Sequence, residues 1–129
     1  MAGLRNVLLV EDEAMIRDLY RTVLVRAGYT VAVAGNSHET FAVLQKFKAD
    51  VVLLDIMLPG MSGIDILQEL RTNPLHHCQT NIILLLTNLA QQDFNNDALN
   101  SNADGYIIKA DILPQDLIKI IQSLDSPSD

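Results

Sequence analysis

The stretch "DVVLLDIMLPGMSG", residues 50–63, decides how this chain is read. Val51, Val52, Leu53 and Leu54 form an unbroken apolar run that ends on a carboxylate, Asp55. A short run without polar alternation reads as a strand covered on both faces. Pro59, Gly60 and Gly63 then punctuate a loop. A buried strand that delivers an acid to the mouth of a loop needs a chemical reason, and the other strands of the chain supply one.

Outward from this stretch, segments alternate in type. Strands are expected at 6–10, 29–34, 50–54, 81–86 and 105–109. Helical spacing of Ile16, Leu19, Val23 and Ala27 predicts a helix over 13–27, stopped by Gly28. Ser37 is expected to cap a second helix carrying Phe41, Leu44 and Phe47. Ile64, Leu67 and Leu70 mark a third over 64–71, and residues 73–80 a loop. A fourth, over 91–102, is expected to be short, because Asn95, Asn96, Asn100 and Asn102 compete for backbone hydrogen bonds. Pro114 should open the last, with Leu117, Ile120, Ile121 and Leu124 on its buried side.

Five strand–helix units with short links imply an α/β fold: a parallel sheet with helices on both faces. The economical solution is a doubly wound, flavodoxin-like five-stranded sheet in the order 2-1-3-4-5. Sites in such sheets form at the carboxyl ends of strands, where the winding reverses between strands one and three.

Composition bounds the function. A chain of 129 residues, 49% hydrophobic, suits one domain, over 1–125 with a flexible tail at 126–129. A net charge of −7 argues against direct grip on nucleic acid or on an anionic membrane. Cys78 is the single cysteine, so no internal disulfide forms. The amino-terminal residues lack the apolar run of a signal peptide or membrane span. A cytoplasmic location is expected.

The carboxyl ends of the strands carry Glu11 and Asp12, then Asp55, then Thr87, then Lys109. Three converging carboxylates repel one another. Lys109 and one divalent cation would balance them, and oxygen ligands suit Mg²⁺ or Mn²⁺. Asp55 could then act as a nucleophile toward phosphorus, with Lys109, Thr87 and the metal stabilising the transferred group. The "HHC" run at 76–78 reads as a polar surface loop, since adjacent residues do not share a face.

The segments "LLVEDE", "VVLLDIMLPGMSG", "IILLLT" and "GYIIK", in this order, resemble the signature segments of the receiver domains of two-component response regulators. The resemblance covers essentially the whole chain. It implies Asp55 as phosphoacceptor, Asp12 as direct Mg²⁺ ligand, Glu11 as ligand through water, and the Met57 carbonyl as a further ligand. It implies that Lys109 pairs with Asp55 and then with the phosphoryl group, and that Thr87 and Tyr106 are the switch residues. The phosphodonor would be a phosphohistidine on a histidine kinase or phosphotransfer protein. The output surface would be the fourth helix, fifth strand and fifth helix, which would bind a downstream protein. Such a chain is not an enzyme beyond slow self-dephosphorylation. It is expected to work as a stand-alone regulator or phosphorelay intermediate, as a monomer or phosphorylation-dependent dimer.

Three positions depart from the family pattern. Glu11 stands where Asp is usual, Asn88 where a small residue is usual, and Ala110 where a cis proline is usual. A non-proline cis bond costs about 3 kcal/mol, so Lys109–Ala110 is expected trans. Met57 and Leu89 are apolar beside the approach to phosphorus, which predicts slow hydrolysis. Competing readings fit less well. An aspartate-nucleophile phosphatase would carry a second Asp where Met57 stands, and a flavin binder would need a phosphate loop where "EDEAM" stands. A receiver-shaped scaffold that is never phosphorylated is disfavoured by the intact set of Asp12, Asp55, Thr87 and Lys109.

Overall fold

The computed structural model describes residues 4–78, 81–88 and 102–124. Five parallel strands form one sheet in the order β2-β1-β3-β4-β5. They are β1 (Asn6–Val10), β2 (Thr30–Ala34), β3 (Val51–Asp55), β4 (Ile82–Thr87) and β5 (Gly105–Ile108). The helices are α1 (Ala14–Arg26), α2 (Ser37–Leu44), α3 (Gly63–Thr72) and α4 (Asp116–Leu124). The last of these is the fifth helix expected from sequence. Of the helix expected over 91–102, residues 91–101 lie outside the described residues, as do Leu89 and the tail at 126–129, while Asn102 takes the left-handed region with φ of 67°.

Strand alternation divides the core in two. Leu8, Val10, Val52, Leu54, Ile83 and Leu85 pack with Leu44 of α2 and with Ile66, Leu67 and Leu70 of α3. Val7, Leu9, Val51, Leu53, Leu84 and Leu86 pack with Tyr20 and Leu24 of α1 and with Leu117 and Ile121 of α4. The continuous apolar runs are thereby explained, because both faces of the central strands are covered. Every residue of β3, Asp55 included, is buried.

Local chemistry sets the boundaries. Gly28, with φ of 102°, ends α1 in the left-handed region, and Tyr29 N donates back to Leu24 O at 3.1 Å. The cap of α2 is Asn36 rather than the expected Ser37. The Asn36 side chain accepts from Glu39 N, leaving Ser37 as the first helical residue. Helix α2 stops at Leu44, and Phe47 joins the same core from the turn beyond it. Asp55 and Thr87 belong to their strands, because the ladder continues through Asp55↔Leu86 and Thr87↔Ile108. Lys109 does not, and instead opens a 3₁₀ turn, Lys109–Asp111. The peptide after Lys109 is trans, since no described bond is cis. Ala110 has no ring to hold Lys109 out of helical conformation, so the chain turns at once. Pro114 lies two residues ahead of α4, where Asp116 Oδ2 accepts from Leu113 N at 2.8 Å.

Gly63 is the tightest point beneath the site. It donates from its N to Ile56 O at 2.9 Å. A Cβ built there would lie 2.1 Å from the carbonyl oxygen of Asp55, with the Asp55 carbonyl carbon and Ile56 Cα each at 2.8 Å. All three are backbone atoms and cannot swing aside. Gly63→Ala should therefore cost about 3 kcal/mol or more, at the top of the range for overpacking. Gly60, with φ of 75° and open space around it, should lose only about 1 kcal/mol as alanine, from backbone strain alone. Urea unfolding of the two variants checks the order; equal losses would count against this close approach.

Candidate functional site

The reversal between β1 and β3 brings the expected acids together. Carboxylate oxygens of Glu11, Asp12 and Asp55 lie within 4.8 Å of one another. They differ in setting. Glu11 is fully buried and Asp55 nearly so, whereas Asp12 is exposed. From the turn just past β5, the Lys109 amine reaches both buried acids, at 2.5 Å from Glu11 Oε1 and 2.9 Å from Asp55 Oδ2. The remaining oxygens take main-chain donors. Glu13 N donates to Glu11 Oε2 at 3.1 Å, and Met57 N to Asp55 Oδ1 at 3.1 Å.

Asp55 therefore projects from a fixed strand with each oxygen held by a donor, which orients the carboxylate. Lys109 was expected to pair with Asp55, and it does. Its shorter bond to Glu11 was missed in the sequence reading. The sequence showed only that Glu11, like Asp55, closes a strand at the same rim. Burial alone would lower the Lys109 pKa, but its hydrogen bonds to Glu11 and Asp55 outweigh that and raise it above the usual 10.5. The stabilisation gained by this pairing is thus complete below about pH 10.5 and lost only as pH climbs through the raised folded value. Tyr20 lies within electrostatic reach: burial raises its phenol, Lys109 opposes, and Glu11 and Asp55 add to the rise.

The other expected residues are placed as follows. Thr87 is fully buried at the end of β4, one strand from Asp55. Tyr106 on β5 is 37% exposed and Met57 62% exposed. The 76–78 run is not simply a surface loop. His76 stacks on Phe41 with ring centroids 4.5 Å apart, and its Nε2 lies 2.9 Å from Glu69 Oε2. His77 takes the left-handed region with φ of 59°, and Cys78 is buried with its thiol pKa raised by that burial. The three side chains serve three different environments.

The donor set fits a divalent ion. It is all oxygen, it carries excess negative charge, and it includes an exposed carboxylate at the mouth. Asp12, Asp55 and the Met57 carbonyl could hold such an ion directly. Glu11 is already committed to Lys109 and Glu13 N, which suits contact through water.

Two variants test this charge balance. Lys109→Met would leave Glu11 and Asp55 buried without a cation, at a cost of about 3–5 kcal/mol at neutral pH. Urea denaturation at pH 7 would show the loss, and a stability equal to wild type would contradict it. Asp12→Ala should instead raise the stability of the metal-free protein by about 0.5–1 kcal/mol, since it removes repulsion and the described residues show no hydrogen bond to its carboxylate. Asp55→Asn should gain less, because it weakens the bond to Lys109. A melting temperature unchanged or lower in Asp12→Ala would contradict this ordering.

Comparison with known proteins agrees with the geometry. The profile of the response regulator receiver domain matches residues 7–122. The phosphate regulon transcriptional regulatory protein PhoB of Pseudomonas aeruginosa is 35% identical over 121 residues, covering 93% of this chain and 51% of PhoB. The DNA-binding response regulator MtrA of Mycobacterium tuberculosis is 31% identical over 119 residues, covering 92% of this chain and 50% of MtrA. The chain thus spans about half the length of these curated relatives. Among solved structures, the chemotaxis response regulator CheY4 of Vibrio cholerae superposes with a TM-score of 0.82 at 28% identity, covering 94% of this chain and 98% of CheY4. A CheY-like receiver domain protein of Methanospirillum hungatei gives 0.78 at 28% identity, covering 95% and 94%. With its sheet order, its acid cluster and the family match running from β1 into α4, the chain belongs to the response regulator receiver domain family.

Proposed function

We propose that this receiver is a phosphorylation-controlled interaction switch whose acceptor is Asp55. The observation that carries the reading is Asp55 itself, a carboxylate closing a buried strand and held by Lys109 on one oxygen and a main-chain N–H on the other. An Asp55 oxygen attacks the phosphorus of a phosphohistidine on a histidine kinase or phosphotransfer protein. The new O–P bond forms as the N–P bond breaks, and the electron pair leaves with the imidazole. When bound, a Mg²⁺ or Mn²⁺ ion supplies positive charge for the phosphoryl oxygens. Lys109 stays in reach of the same oxygens while keeping its bond to Glu11, so the buried amine is never left without an anion. Thr87 donates a hydrogen bond to the product from the adjacent strand.

The switch then passes outward along β4 and β5. Thr87 and Ile108 are register partners, and Tyr106 lies two residues earlier on β5. Movement of Thr87 toward the phosphoryl group opens space into which the half-exposed Tyr106 turns, changing the face that β5 shares with α4. That face recruits a downstream protein. Met15, Met57, Met61 and Leu113 are exposed apolar side chains on loops or helix starts that follow the carboxyl ends of β1, β3 and β5. They offer a donor protein apolar contact around the acid. The protein acts as acceptor rather than turnover enzyme, and its phospho-form decays slowly because Met57 cannot orient water.

Incubation with a small-molecule phosphodonor, followed by intact mass measurement, tests the acceptor. Wild type should gain one phosphoryl mass in the presence of Mg²⁺ and little after chelation. Asp55→Asn should gain none. A gain that survives in Asp55→Asn would move the acceptor elsewhere.

A further inference from the structure

Arg17 lies in the first turn of α1, partly buried, and neither the charge balance nor the phosphoryl chemistry uses it. Its Nη1 donates to the main-chain oxygen of Glu11 at 3.1 Å. That oxygen belongs to the peptide joining Glu11 to Asp12, at the exit of β1. The other polar atoms of Glu11 are fixed as well: its N donates to Ala34 O at 2.9 Å, and its carboxylate is shared between Lys109 and Glu13 N. The guanidinium passes close to Gly35 at the end of β2. A Cβ on Gly35 would lie 3.2 Å from Arg17 Nη1 and 3.3 Å from Glu39 Oε1. The missing side chain leaves the lane that the guanidinium occupies.

A peptide is planar, so holding its oxygen holds the whole plane, including the nitrogen that begins Asp12. We propose that Arg17 is a positioning residue for divalent-ion binding: by fixing the Glu11–Asp12 peptide it presents the exposed Asp12 carboxylate to Glu11 and Asp55. The inference rests on the reading of Asp12 as a direct metal ligand. Two effects of Arg17 oppose one another. Its positive charge repels a cation, so an electrostatic role alone makes its removal tighten binding. Its grip on the peptide makes removal loosen binding. Residues that orient metal ligands typically change affinity 10–100-fold when removed, whereas a partly solvated charge acts weakly through water.

The test is calorimetric titration of the whole chain with Mg²⁺ for wild type, Arg17→Gln, Arg17→Lys and Asp18→Asn, the last altering an exposed acid on the same helix. Arg17→Gln should raise Kd about tenfold. Arg17→Lys should recover part of the loss, and Asp18→Asn should match wild type. In phosphorylation of Asp55 by a small phosphodonor, the Mg²⁺ concentration at half-maximal rate should rise by the same factor, with the rate at saturating Mg²⁺ preserved. An Arg17→Gln Kd equal to or below that of wild type overturns the proposal. If Arg17→Gln fails to fold, Arg17→Lys decides, because it keeps the charge and loses the planar donor; an unchanged Kd there overturns the proposal too. Wild type that binds Mg²⁺ without phosphorylation of Asp55 overturns the switch reading and leaves the Arg17 result standing. Wild type that binds no Mg²⁺ overturns the metal reading and this inference with it.

Discussion

The bond from the Lys109 amine to two buried carboxylates is the constraint on which the rest of the molecule depends. Glu11 and Lys109 stand 98 residues apart, and Asp55 and Lys109 stand 54 apart. They meet because β1, β3, β4 and β5 are parallel neighbours in register. Burying such groups is expensive, and an ion pair in the interior offsets its own desolvation only with good geometry and further hydrogen bonds. Here each buried carboxylate has a main-chain donor beside the amine. The apolar strands supply the rigidity, and the ionic centre uses it to hold three groups at fixed separations.

That arrangement leaves a deliberate imbalance. Three acids face one lysine, so the metal-free site is unsatisfied by charge although its buried atoms are satisfied by hydrogen bonds. The excess resides at Asp12, the exposed member. Repulsion is thus placed where solvent moderates it and where a cation can enter. A site with all three acids deeply buried would be too costly to fold without metal; a site with none buried would not orient the Asp55 carboxylate. Gly63 adds a steric condition, since α3 begins so close under Asp55 that no side chain fits.

Much of this was legible in the sequence because parallel sheets write themselves plainly. Runs such as Val51 to Leu54 and Ile82 to Leu86 are apolar without alternation, and a polar residue closing such a run marks the strand's end. The order of strands and the gathering of Glu11, Asp12, Asp55, Thr87 and Lys109 at one rim followed from that. What escaped depended on choices between near-equal local options. Asn36 and Ser37 both cap well, and only the chain's exit from β2 decided for Asn36. The sharing of Lys109 between two acids depended on side-chain reach across the sheet, which no local pattern encodes. His76 looked like part of a polar run and proved to be a stacked ring, because its aromatic partner Phe41 is distant in sequence.

The two rims of the sheet divide labour according to what their polar groups bind. At the amino ends, polar side chains satisfy backbone. Asp50 Oδ2 accepts from Arg5 N and Asn6 N, Asn81 Nδ2 donates to Ala49 O, and Asp104 Oδ2 accepts from Ile83 N and from Arg71. Arg71 also donates to the carbonyls of Cys78, Asn81 and Asn102. Most of these bonds join residues 21 to 45 positions apart, so that rim ties α3 to β4 and β5. At the carboxyl ends, side chains face one another with charge left over. On the proposed acceptor role, a phosphoryl group on Asp55 would perturb a rim whose bonds can be exchanged, while the opposite rim holds the strands in register. The difference lets one end of a small sheet respond to chemistry without unfolding the other.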